Sequence, residues 1–78
     1  MEDINSILSK VGLKCTKQRI SVMQVLSDAD APLTVENIYD KVDGMSLSTV
    51  YRIAEKLCEK GIVSKHTDRK STRLNSSH

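Results

Sequence analysis

Tryptophan and phenylalanine are absent from this 78-residue chain, and Tyr39 and Tyr51 are its only aromatic residues. Its core must therefore be aliphatic, drawn from Ile, Leu, Val and Met. A chain of this length allows one small domain with a thin core, so marginal stability is expected unless a partner or second domain contributes. No apolar run approaches the roughly 20 residues of a membrane helix, and the N-terminus lacks a signal-peptide pattern. The expected location is cytoplasmic, with no membrane partner. Two cysteines, Cys15 and Cys58, are too few and too far apart for a Cys-x-x-Cys zinc site. In the cytosol they are expected as reduced thiols acting as packing groups. No set of nucleophile, base and orienting group can be assembled, so the chain does not read as an enzyme.

Charge of one sign is also scarce. The formal net charge is only +2, and residues 1 to 67 hold nine Lys+Arg against nine Asp+Glu. The whole excess comes from Arg69, Lys70 and Arg73 against Asp68. Net charge therefore gives no argument for a polyanionic partner, but its distribution does. Residues 1 to 27 and 46 to 66 each carry an excess of two positive charges, while residues 28 to 45 carry an excess of four negative ones. The two basic segments can face a polyanion and the acidic middle should point away from it.

The apolar spacing predicts four helices and a strand. Ile4, Ile7, Leu8 and Val11 fall at i, i+3, i+4 and i+7 and define a first helix ending near Gly12. A second follows Thr16 and carries Ile20, Met23 and Leu26, widened by Val22 and Val25, until Asp28 to Pro32 break it. Thr34 caps a third helix, with Leu33 before the cap and Ile38 at the fourth helical position as a hydrophobic staple. That helix buries Val35, Ile38 and Val42 and stops at Asp43-Gly44. Ser46 repeats the device, setting Met45 against Val50, and the fourth helix turns Val50, Ile53, Ala54 and Leu57 inward. Gly61 ends it, and Ile62 to Thr67 has the β-branched content of a strand.

The tail Asp68 to His78 reads DRKSTRLNSSH. It can be back-translated without a gap into a common sequencing-library adapter, so it is expected to be non-native or disordered and is set aside from fold reasoning. Its composition is polar and serine-rich, with Leu74 isolated and no period defining a buried face. Its deletion is expected to leave stability unchanged. The order helix, helix, helix, strand is that of a winged helix-turn-helix, mainly α, whose β wing is incomplete because the tail stands where a returning strand should be. Ile62 to Thr67 is then expected to be a lone edge, frayed or paired with something else.

Two motifs sit where helices begin: Gly12-Leu13-Lys14-Cys15-Thr16-Lys17-Gln18-Arg19 and Ser46-Leu47-Ser48-Thr49-Val50-Tyr51-Arg52. Helix starts present unpaired N–H groups and a positive dipole end, which suit phosphates. On the fourth helix, Ser48, Thr49, Tyr51 and Arg52 occupy the first two turns, the part of a recognition helix that meets base edges. Arg52 can fork onto a guanine O6/N7 pair or hold a phosphate, and Tyr51 can stack on a thymine methyl or donate to phosphate. An ordinary solvated face is the bland reading of the same residues. Lys14 can enter an A/T-rich minor groove or stay hydrated. Arg19, in a first turn, is placed against the helix dipole unless a phosphate lies near. Thr16 is first a cap, and Lys17 and Gln18 are weaker phosphate candidates.

Together the motifs closely resemble the N-terminal DNA-binding domain of the ferric uptake regulator family of bacterial metal-dependent repressors, over about Ile4 to His66. The resemblance implies a winged-helix domain in residues 1 to 67 that binds A/T-rich operator DNA, with the Tyr and Arg matching Tyr51 and Arg52, and basic residues matching Lys14 and Arg19, as DNA contacts. It implies double-stranded DNA as partner, and homodimerisation only through a C-terminal domain beyond these residues. Full-length relatives hold structural zinc and a regulatory divalent metal there. No cofactor is expected in this chain: the loop Asp28 to Pro32, where family members recruit a metal-ligand His, holds none, and the chain's histidines are His66 in the strand and His78 in the tail. The alternative is a winged-helix protein-interaction module, whose binding would be insensitive to salt and to Arg52.

Overall fold

The computed structural model describes residues 3–67 and 69–76, apart from the Ser76 side chain. Four helices, α1 (Ile4–Lys10), α2 (Lys17–Asp28), α3 (Val35–Lys41) and α4 (Leu47–Glu59), are joined to three strands, β1 (Leu33–Thr34), β2 (Val63–Thr67) and β3 (Thr72–Ser76). Each of the last three helices starts on a hydroxyl that accepts the N–H three residues on: Thr16 from Arg19 at 3.2 Å, Thr34 from Asn37 at 3.1 Å and Ser46 from Thr49 at 3.3 Å. Each cap is worth about 1 kcal/mol, and all three predicted starts are observed.

Two of the helices end alike. At the end of α4, Gly61 adopts φ +79°, its N–H donates to the Cys58 carbonyl at 3.1 Å, and the Ile62 N–H donates to the Leu57 carbonyl at 3.0 Å. Gly12, Leu13, Ser9 and Leu8 repeat the pattern after α1. This double bond satisfies orphan helix carbonyls and brings the residue after the glycine back onto the helix. Leu13 and Ile62 are accordingly buried against the core together with Leu8 and Leu57.

Sixteen buried aliphatic residues form the core among the described residues, and no polar side chain is buried with them. Leu8, Val22, Met23, Ile38, Val50 and Leu57 are its fully enclosed members. α4 supplies Val50, Ile53, Ala54 and Leu57 from one stripe and packs on α2, α3 and β2.

The wing departs from expectation. β3 is the central strand of an antiparallel sheet ordered β1-β3-β2, so the wing is complete and Val63–Thr67 is paired along its length. Leu74 pairs with Leu33 on one side and Lys65 on the other and is only 2% exposed. The tail expected to be disordered thus supplies a core strand; of that segment, Asp68, Ser77 and His78 lie outside the described residues. The physical reason is the strand period of two. A strand crossing a small core needs only one deeply buried residue, and Leu74 suffices: it faces in while Arg73 and Asn75 are exposed. Back-translation of the tail bears on where its DNA came from, which is a separate matter from what the residues can pair with. β1, unpredicted because two residues carry no period, exists as β3's second partner.

Leu74→Ala is therefore expected to lower unfolding free energy by about 2 to 4 kcal/mol in urea melts followed by circular dichroism. Unchanged melting would restore the reading of the tail as a passive appendage.

Candidate nucleic-acid interface

Burial of the α4 stripe fixes how the helix is rolled about its axis. With about 100° per residue, Ser48, Tyr51, Arg52 and Glu55 are then turned outward, and all four are exposed. Tyr51, at 48% exposure, is open on a face with Arg52 beside it. Thr49 differs. It is half-buried, and its Oγ1 lies 3.0 Å from the Ser46 Oγ, so its hydroxyl is taken up by the cap and is not a free contact.

At the start of α2, Thr16 has the capping role, and Lys14 is exposed in the loop before it. Arg19 is half-buried rather than reaching outward: its Nη1 donates to the Lys14 carbonyl at 3.2 Å. That bond ties the cation to the loop, fixing the Lys14 backbone and leaving further guanidinium N–H groups for an anion. The unfavourable dipole position foreseen for Arg19 is thus offset by a carbonyl acceptor within the protein.

The start of α2 borders the turn that leads into α4. Thr16, Lys17, Gln18 and Ser21 of the α2 start line one groove of about 480 Å³ with Asp43, Gly44 and Met45, the residues that lead into the Ser46 cap. Asp43 brings a negative charge to this groove, opposite Lys17. On the other side of α4, Tyr51 borders a groove shared with Glu36 of α3 and with Lys70 and Ser71 of the wing turn. Lys70 was not foreseen as part of this surface; the β2–β3 pairing brings it beside the outward face of α4.

The cysteines separate into two environments. Cys15 is exposed, and its thiol donates to the Asn5 carbonyl at 3.3 Å, so it is a surface group and not the packing group expected. Cys58 is half-buried in the outer shell of the core and faces a cavity of about 120 Å³ with Tyr51, Ala54, Lys65 and Leu74. Burial raises its thiol pKa above the ordinary value; Lys65 opposes this rise and Glu55 adds to it. Among the described residues no three His, Cys, Asp or Glu side chains come together. No helix among them is long and apolar enough to cross a membrane.

Four helices with a three-stranded antiparallel wing and a capped, outward-facing fourth helix define a winged helix-turn-helix. The ferric uptake regulator family model matches residues 10–77, and the chain belongs to that family. The ferric uptake regulation protein of Escherichia coli strain K12 is 35% identical over 71 residues, an alignment covering 85% of this chain and 48% of that protein. The protein of that name from Vibrio parahaemolyticus is 34% identical over the same length. The chain thus spans about half the length of these relatives. Among solved structures, the Vibrio cholerae ferric uptake regulator superposes with a TM-score of 0.91 at 28% identity, covering 97% of this chain and 63% of that one. A zinc-bound manganese uptake regulator superposes at 0.88 with 27% identity, covering 99% and 62%. Proteins of this family are transcription regulators, not enzymes.

Cys15 is expected to react with Ellman's reagent markedly faster than Cys58 at pH 8, because Cys15 is exposed while burial shields Cys58 and raises its thiol pKa. Equal rates for the two thiols, resolved with single Cys→Ser variants, would show that the Cys58 cavity is open to solvent.

Proposed function

We propose that this chain is the DNA-binding part of a bacterial, metal-responsive transcriptional repressor and binds A/T-rich operator DNA through α4 and the start of α2. The observation that carries the reading is the coincidence of two surfaces. The α4 face left over by core burial bears Ser48, Tyr51 and Arg52, and the α2 start, through Thr16, Lys17 and Gln18, borders the turn that leads into it. In this reading Arg52 reads a base or holds a phosphate, Tyr51 packs on a base or donates to phosphate, and Ser48 bonds a base edge or phosphate. Lys14 reaches the backbone or minor groove, held by the Arg19 brace. Thr16 and Thr49 act through the helix starts they build. The likeness to the Vibrio cholerae ferric uptake regulator, whose structure is described as having DNA-binding domains, supports the assignment.

Metal sensing and dimerisation belong, in this proposal, to the half of the cytoplasmic parent protein that the chain does not span. β3 (Thr72–Ser76) stands in for the parent's own second wing strand, and the source DNA across codons 67 to 78 tests that provenance directly. As a monomer the chain holds one operator half-site, so its affinity is weak and lacks the avidity of a dimer.

In a fluorescence anisotropy titration, Arg52→Ala is expected to cost about 1 to 3 kcal/mol and to relax preference at one base pair. Lys14→Ala should weaken binding to all sequences and reduce the salt slope by about one. Lys41→Ala, on the acidic middle segment, should change nothing. Equal losses from Lys41→Ala and Arg52→Ala would make the attraction nonspecific and remove the recognition-helix assignment. Binding insensitive to salt and to Arg52 would favour a protein-interaction module.

A further inference from the structure

Leu47 is an aliphatic side chain of α4 that the core leaves out. It is 41% exposed, whereas Val50, Ile53, Ala54 and Leu57 on the same helix are 8% exposed or less, and it does not join the partly buried residues packed on the core. It follows the Ser46 cap directly and stands one turn before Tyr51, so the two share a face. Leu47 and Tyr51 are two of the three large apolar side chains exposed among the described residues. Ser48 and Arg52 form a polar pair at the same spacing alongside. The first half of α4 thus presents two parallel strips, one apolar and one hydrogen-bonding, and its first turn carries no acidic residue.

Phosphates and sugars offer a leucine little, and the apolar group that projects into the major groove is the thymine C5-methyl. The first turns of a recognition helix are the part that reaches base edges. We propose that Leu47 is a specificity-determining residue that packs on a thymine 5-methyl group, adding methyl readout to the hydrogen-bond readout of the Ser48–Arg52 strip. This rests on the assignment of α4 as the recognition helix.

The test starts from a duplex selected by the full chain from a randomised pool, in which each thymine is replaced singly by deoxyuridine, which lacks only the methyl. Removing one buried methyl corresponds to about fourfold in affinity. Wild type should show that loss at one thymine or more, Leu47→Ala should bind thymine and deoxyuridine equally at one such position, and Leu47→Met should keep the preference. Arg52→Ala should keep the methyl preference while relaxing a different base pair. Leu47 is exposed, so these variants are expected to fold, and circular dichroism confirms it. If Leu47→Ala retains every deoxyuridine penalty, or if no thymine shows one, the proposal is overturned while the DNA-binding reading stands. If the pool yields no preferred sequence, both are overturned.

Discussion

Burial of one stripe of α4 is the constraint on which the rest depends. Val50, Ile53, Ala54 and Leu57 must face the core, because an aliphatic set with no aromatic members has little other area to bury. Each such side chain contributes about 1.5 to 3 kcal/mol when removed from water, and small domains have only a few kcal/mol of net stability. A roll of α4 by even one residue would expose most of that stripe and bury Arg52. The same energy that holds the domain together therefore aims Ser48, Tyr51 and Arg52 outward. The Ser46 cap adds the axial coordinate by fixing where the first turn begins.

The helices were legible because their signals are local. A hydroxyl followed at the fourth helical position by an aliphatic residue specifies a start, and a glycine followed by Leu13 or Ile62 specifies a stop. The wing was only half legible. Leu74 alone cannot define a period, and its partners Leu33 and Lys65 are far away in sequence, so pairing is a tertiary fact that no window of the tail contains. The same limit applies at the interface. Ser48, Tyr51 and Arg52 were placed by helical spacing, but the Arg19 bond to the Lys14 carbonyl and the Thr49 bond to the cap depend on side-chain geometry. Lys70 beside Tyr51 depends on the strand pairing. Leu47 was quoted in the motif but carried no reading until its exposure was known.

Electrostatics and packing divide the molecule in the same way. The segments that carry the motifs hold the positive excess, and residues 28 to 45, with α3, hold the negative one. Under the proposed function the separation would orient the domain on a polyanion without a large net charge, and within a Debye length of about 10 Å it acts locally. Such a small aliphatic core is expected to give only a few kcal/mol of net stability. The wing and α4 share the Cys58 cavity, where Tyr51, Lys65 and Leu74 meet, so loosening the strand should loosen the position of Tyr51 as well.

The most direct test of the account is an amide chemical-shift titration of the full chain with a selected A/T-rich duplex. The account predicts that the largest shifts map to residues 14–19 and to the first two turns of α4, with residues 28–45 nearly still. Shifts centred on residues 28–45, or spread evenly over the surface, would contradict it.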